Sequence, residues 1–147
     1  MGDTLDDFVH EIKEKIFEET KEAYGEKAFD RWQTPLFMGS MNNPDGYAKS
    51  VGVCGDTMEI FLRFKGERVK HALFQADGCG SSGVCASFAA ELSMGKAPDE
   101  VLAISGEVIM ERLGGLPKED EHLAFLAAQT LQQAVNDYMM KKAKGEE

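Results

Sequence analysis

Apolar and polar positions along the chain change period three times. From Leu5 to about Tyr24 the apolar residues Leu5, Phe8, Val9, Ile12 and Ile16 recur at helical spacing, with charged residues opposite. The stretch "RWQTPLFMGSMNNPDGY" that follows carries two prolines, two glycines and two asparagines, the mark of irregular chain with turns. "YAKSVGVC" then reads as a strand. "TMEIFLRF" alternates, with Met58, Ile60, Leu62 and Phe64 on one face and Glu59 and Arg63 on the other. "KGER" supplies a turn through Gly66, and "VKHALFQAD" returns as a third strand. The three strands predict an antiparallel meander.

Beyond Gly80 the period becomes helical again. Ser81 or Ser82 is placed to cap a helix running to about Met94 and stopping at Gly95. "APDEVLAI" puts Pro98, Asp99 and Glu100 in a first helical turn. Ser105 precedes "GEVIMERL", which ends at Gly114–Gly115. After Pro117 a long helix has the inner stripe Leu123, Leu126, Ala127, Thr130, Ala134 and Tyr138. Strands and helices are segregated, so the expected class is α+β: a three-stranded antiparallel sheet with an N-terminal helix and four C-terminal helices against it. The expected organisation is one domain: a helix over 1–30, an irregular lead-in over 31–46, the sheet over 47–77, helices over 81–142 and a frayed tail over 143–147.

Composition narrows the partners. A chain of 147 residues suits one core, and 43% hydrophobic with 29% charged residues is ordinary for a globular protein. A net charge of -10 repels phosphate backbones and anionic membrane surfaces, so neither nucleic acid nor membrane is an expected partner. No apolar run approaches the roughly 20 residues of a membrane span. The acidic start "MGDTLDDFVHEIKEK" lacks an apolar signal core, which points to the cytoplasm. Three cysteines in a reducing compartment are expected as thiols or ligands rather than a disulfide framework.

Few residues offer chemistry. Cys54 and Asp56 flank Gly55 in the turn between the first two strands, and a soft thiolate beside a hard carboxylate can hold iron or zinc; a buried cysteine and a turn aspartate would look the same. Cys79 stands between two glycines ahead of a helix N-terminus, where the helix dipole favours thiolate. Cys85, among Gly83, Ala86, Ala89 and Ala90, reads as a small packing thiol. His122 opens the last helix, and nothing local joins it to the cysteines.

Taken together, "CGD" after the first strand, "GCGSS" entering a helix, a "GLP" turn and a histidine at the start of the last helix resemble the IscU/NifU-type iron–sulfur cluster scaffolds. "TPLFMG" and "NPDGYAKSVGVCGDTMEIFLRF" are similar to the lead-in of NifU-like members, and the motifs run in family order from about Pro35 to Tyr138. The resemblance implies a scaffold, not an enzyme. It would take sulfur from a cysteine desulfurase, build a transient 2Fe–2S cluster and pass it to apo iron–sulfur proteins. It implies Cys54, Asp56, Cys79 and His122 as ligands, a set that zinc or iron could also occupy.

One position departs from that pattern. The family has a cysteine directly after the histidine, and this chain has Leu123. Cys85 is therefore a further candidate ligand. "GLPKED" matches only part of the family's chaperone-binding loop, which weakens the expectation of a dedicated Hsp70 chaperone. Two other readings stay open: a zinc- or iron-binding relative that no longer builds clusters, and a metal-free adaptor docking on a desulfurase.

Overall fold

The computed structural model describes residues 26–33, 35–53, 55–78 and 80–145. The helix expected over 5–24 lies outside the described residues, as do Cys54 and Cys79.

The chain is first described in helix α1 (Glu26–Gln33), which carries the helical pattern past residue 30 into the segment expected to be irregular. Tertiary contact explains the extension. The Arg31 guanidinium lies 4.0 Å over the Phe88 ring, donates to Ser87 Oγ at 3.0 Å and pairs with Glu91. Pro35 then disfavours further helix. The segment after it is not wholly irregular either. Phe74 N donates to Phe37 O and Gly39 N to Phe74 O, so residues 37–39 run parallel to the edge of the sheet.

The sheet has the order β1 (Gly46–Val51), β2 (Thr57–Lys65), β3 (Arg68–Asp77), with both pairs antiparallel. The β2–β3 turn places Gly66 at φ 61° and Glu67 at φ 66°, the two positive values a tight primed turn needs. Ala48, Ile60 and Phe74 form one cross-strand row on the inner face, and all three are buried. Tyr47, Phe61 and Leu73 form the next row on the outer face. There Phe61 is buried as well, because Tyr47 stands against it with ring centroids 5.1 Å apart. A bulge between Arg63 and Phe64 shifts the far end of the β2–β3 register.

Four helices follow: α2 (Gly80–Ser93), α3 (Pro98–Leu102), α4 (Gly106–Leu113) and α5 (His122–Ala143), with a 3-10 turn (Lys118–Asp120) before the last. α2 packs on β3, and α5 on β1, β2 and α2. Nearly every α2 side chain is buried, which the small residues of "GSSGVCASFAAELS" permit. β1 and α5 come close at Gly46, where a Cβ would meet the Ala134 carbonyl oxygen at 2.3 Å. α4 begins on Ser105, which accepts from Val108 N, and ends on Gly114 at φ 88°. The inner stripe of α5 differs from expectation. Leu123, Ala127, Thr130 and Ala134 are buried as predicted, Leu131 and Val135 join them, and Leu126 and Tyr138 are only half-buried. Among the described residues no helix is long and apolar enough to cross a membrane. Of the tail, Ala143 closes α5 and Lys144 and Gly145 form a turn whose N–H groups donate back to Met140 O and Lys142 O, while 146–147 lie outside the described residues.

Candidate functional site

Three turns meet at one end of the sheet. Val51 pairs with Thr57 and Thr57 with Asp77, so the end of β1, the start of β2 and the end of β3 are level. Cys54 belongs by sequence to the turn joining Val51 to Thr57, and Cys79 to the junction between β3 and α2. The hairpin turn is closed by backbone bonds: Gly52 N to Asp56 O at 2.7 Å and Gly55 N to Gly52 O at 3.0 Å. Gly55, at φ 85°, takes the left-handed conformation that makes so short a turn feasible. Val53 beside it is 95% exposed, so this rim faces solvent.

Asp56 turns inward from the same loop and is buried. Its Oδ1 accepts from Ser82 Oγ at 2.9 Å. It also lies against Gly78, where a Cβ would stand 1.9 Å from Oδ1, and Gly78 has a φ of 138°. Only glycine fits a backbone so close to a carboxylate in that conformation.

The third turn carries His122. Asp120 Oδ2, in the 3-10 turn, accepts from Ser81 Oγ at 2.9 Å, which brings the entry to α5 against the start of α2. Leu126 lies one helical turn beyond His122 on the same face of α5, since residues four apart overlie each other. A Cβ on Gly52 would come within 3.1 Å of Leu126 Cδ2, so that face is directed to the hairpin turn. The His122 ring nitrogen Nε2 is buried and has no hydrogen-bond partner among the described residues. A buried polar atom of this kind costs stability unless something binds it.

Sequence-predicted residues thus fall into three groups. Asp56 and His122 sit on the turns that converge at this end of the sheet. Cys85 and Leu123 are fully buried members of the hydrophobic core. Cys54 and Cys79 belong to the converging segments by sequence, and their own positions lie outside the described residues. Among the described residues no group of three or more His, Cys, Asp and Glu side chains is gathered as a metal site. Ser81 and Ser82 correct an expectation: α2 already begins at Gly80, and both hydroxyls reach across to other turns rather than capping it. The pattern of the chain gives no signal for this, because their acceptors are 26 and 39 residues away.

These residue types would suit an iron–sulfur cluster. Thiolates and imidazole match iron and zinc, and the unpartnered Nε2 is the atom a metal would satisfy.

The chain matches the family described as NifU-like N terminal domain over residues 23–145. It is 39% identical over 123 residues to iron-sulfur cluster assembly scaffold protein IscU 1 of Archaeoglobus fulgidus, covering 82% of this chain and 80% of that protein. It is 35% identical over 125 residues to iron-sulfur cluster assembly scaffold protein IscU of Escherichia coli K12, covering 82% of this chain and 97% of that protein. Among solved structures, the N-terminal NifU-like protein of Brucella abortus has a TM-score of 0.68 over 82% of this chain and 97% of its own, at 15% identity. A likeness at that identity bears on the fold alone.

Proposed function

The chain belongs to the NifU-like N-terminal domain family, and from that premise we propose that it is an iron–sulfur cluster assembly scaffold rather than an enzyme. Its cargo is a transient cluster, which we read as 2Fe–2S. Cys54 and Cys79 thiolates and His122 Nε2 would hold it, with Asp56 beside them. The buried Nε2 of His122, unpartnered among the described residues, is the observation that carries this reading. It stands on the α5 face directed to the turn that contains Cys54.

Each residue has a task its chemistry suits. The thiolates accept iron and sulfur. The imidazole is a borderline donor that binds iron or zinc without adding charge. A carboxylate is a harder, poorer partner for a cluster than a thiolate, so Asp56 favours release over retention. The exposed rim at Val53 gives partners access to the turn. A sulfur donor and an apo-protein recipient follow from the role; we read the donor as a cysteine desulfurase and the location as cytoplasmic.

A second reading rests on Leu123. That side chain is fully buried in the core at the position where the family resemblance places a third thiol. With two thiolates and a histidine, the site would suit one zinc ion, held in tetrahedral geometry without cluster assembly.

Anaerobic incubation with ferric iron and sulfide, which together carry the charge of an oxidised 2Fe–2S cluster, separates the two. The scaffold reading expects iron and sulfide bound in equal amounts with visible absorption, lost in Cys54→Ala and in Cys79→Ala. Protein that keeps one zinc and takes up no sulfide would establish the second reading instead.

A further inference from the structure

We propose that Ser81 and Ser82 form a clasp that fixes the three ligand-bearing turns relative to one another, with Ser81 acting through Asp120. This rests on the ligand set proposed above, and concerns residues that hold the site rather than touch the cargo.

The two serines are consecutive in the first turn of α2, and both are fully buried. Successive helix residues point about 100° apart, so neighbouring hydroxyls can serve different elements. Ser82 reaches the hairpin turn and donates to Asp56 Oδ1 at 2.9 Å. Ser81 reaches the 3-10 turn and donates to Asp120 Oδ2 at 2.9 Å. Cys54 is two residues from Asp56, Cys79 is two residues from Ser81, and His122 is two residues from Asp120. Each half of the clasp thus ties the α2 entry to a segment carrying another proposed ligand. Both acceptors are carboxylates, so these are charge-assisted bonds, stronger and more directional than neutral ones.

Two neighbouring observations support a positioning role. Gly78 admits the Asp56 carboxylate against the backbone, so Ser82 and Gly78 confine it from two sides. On the other side the 3-10 turn is short and its only residues with acidic side chains are Glu119 and Asp120, of which Asp120 is the one bonded to α2. Without Ser81 the turn before His122 would lose this tie to the helix that follows Cys79.

Cobalt(II) binding to the metal-free protein tests the clasp. Thiolate–cobalt absorption reports the ligands directly, and the melting temperature of the metal-free protein reports the fold. Ser81→Ala and Ser82→Ala are each expected to weaken cobalt binding about 10-fold, the usual scale for groups that orient ligands, and to alter the visible band pattern. Asp120→Ala, at a half-exposed position that tolerates truncation, should reproduce Ser81→Ala. Asp120→Asn keeps an acceptor oxygen and should restore the wild-type spectrum. The Ser81→Ala/Asp120→Ala double variant should be no worse than either single one. If wild type shows the thiolate–cobalt bands and all three alanine variants match its affinity and spectrum, the clasp is overturned while the ligand set stands. If wild type shows no such bands, the ligand set and the clasp fall together.

Discussion

Gly78 and Asp56 are packed so closely that a Cβ on the glycine would stand 1.9 Å from the carboxylate oxygen Oδ1. Gly78→Ala is therefore expected to displace Asp56 or the β3–α2 junction and to cost about 2–4 kcal/mol through overpacking and a strained φ. Gly55 offers the control. It shares a positive φ, but nothing among the described residues lies within 4 Å of a Cβ there, so Gly55→Ala should cost only about 1 kcal/mol. Urea denaturation of the two variants checks the contrast, and equal losses would refute the packing argument.

His122→Ala removes a ring nitrogen that is buried without a hydrogen-bond partner among the described residues. The metal-free protein should lose no stability, since the deleted atom is a liability there. Zinc affinity should fall by more than about 100-fold, beyond the usual cost of losing a group that merely orients a ligand. Calorimetric titration beside thermal melts gives both numbers. A variant that melts lower and binds zinc normally would show a structural histidine instead.

Cys85 lies five residues into α2 from Gly80, about 7.5 Å along the axis, and is wholly buried in the core. Its replacement should act on packing. Cys85→Ala is expected to cost about 1 kcal/mol and to leave iron and sulfide uptake at the wild-type level. Loss of uptake in a variant that still folds would make Cys85 the thiol that Leu123 does not supply.

Glu67, in the β2–β3 turn, pairs with Lys142 near the end of α5, at the opposite end of β2 from Asp56. The hydrogen bond and charge of Lys142 hold the Glu67 carboxyl below its ordinary value of 4.5. A lowered folded value means that the stabilisation is complete above 4.5 and fades as pH falls through the lowered value. The melting temperature of Glu67→Gln should thus lie slightly below wild type at pH 7 and converge with it in acid. The gap should also shrink in high salt, because the pair is exposed. A gap that persists at low pH would assign it to the strained turn rather than to the ion pair.

Much of this architecture is legible in the chain, and the reasons differ by element. Met58, Ile60, Leu62 and Phe64 alternate because one face of β2 meets the helices, so both hairpins could be drawn from the pattern. Phe61 breaks that pattern because its partner on the outer face, Tyr47, is set by register rather than by local sequence. α1 outruns its expected end because Arg31 is held by Phe88, Ser87 and Glu91, all far along the chain. The two serines of "GCGSS" read as helix caps and are cross-links in the fold, since a cap uses the hydroxyl oxygen as acceptor while these bonds use its O–H as donor to carboxylates far along the chain. His122 gave no local signal at all. Only the family resemblance points to it, and its nitrogen, unpartnered among the described residues, supplies a physical reason from the fold.

On the function proposed above, this chain builds a cluster in order to give it away. The direct measurement mixes reconstituted protein with an excess of an apo-ferredoxin under anaerobic conditions, in the presence of an iron chelator that competes for released metal. The visible absorption is expected to leave this chain and appear on the ferredoxin within minutes, and no cluster should reach the ferredoxin when Cys54→Ala or Cys79→Ala replaces wild type. A cluster that stays on this chain, or iron that is all found on the chelator, would contradict it.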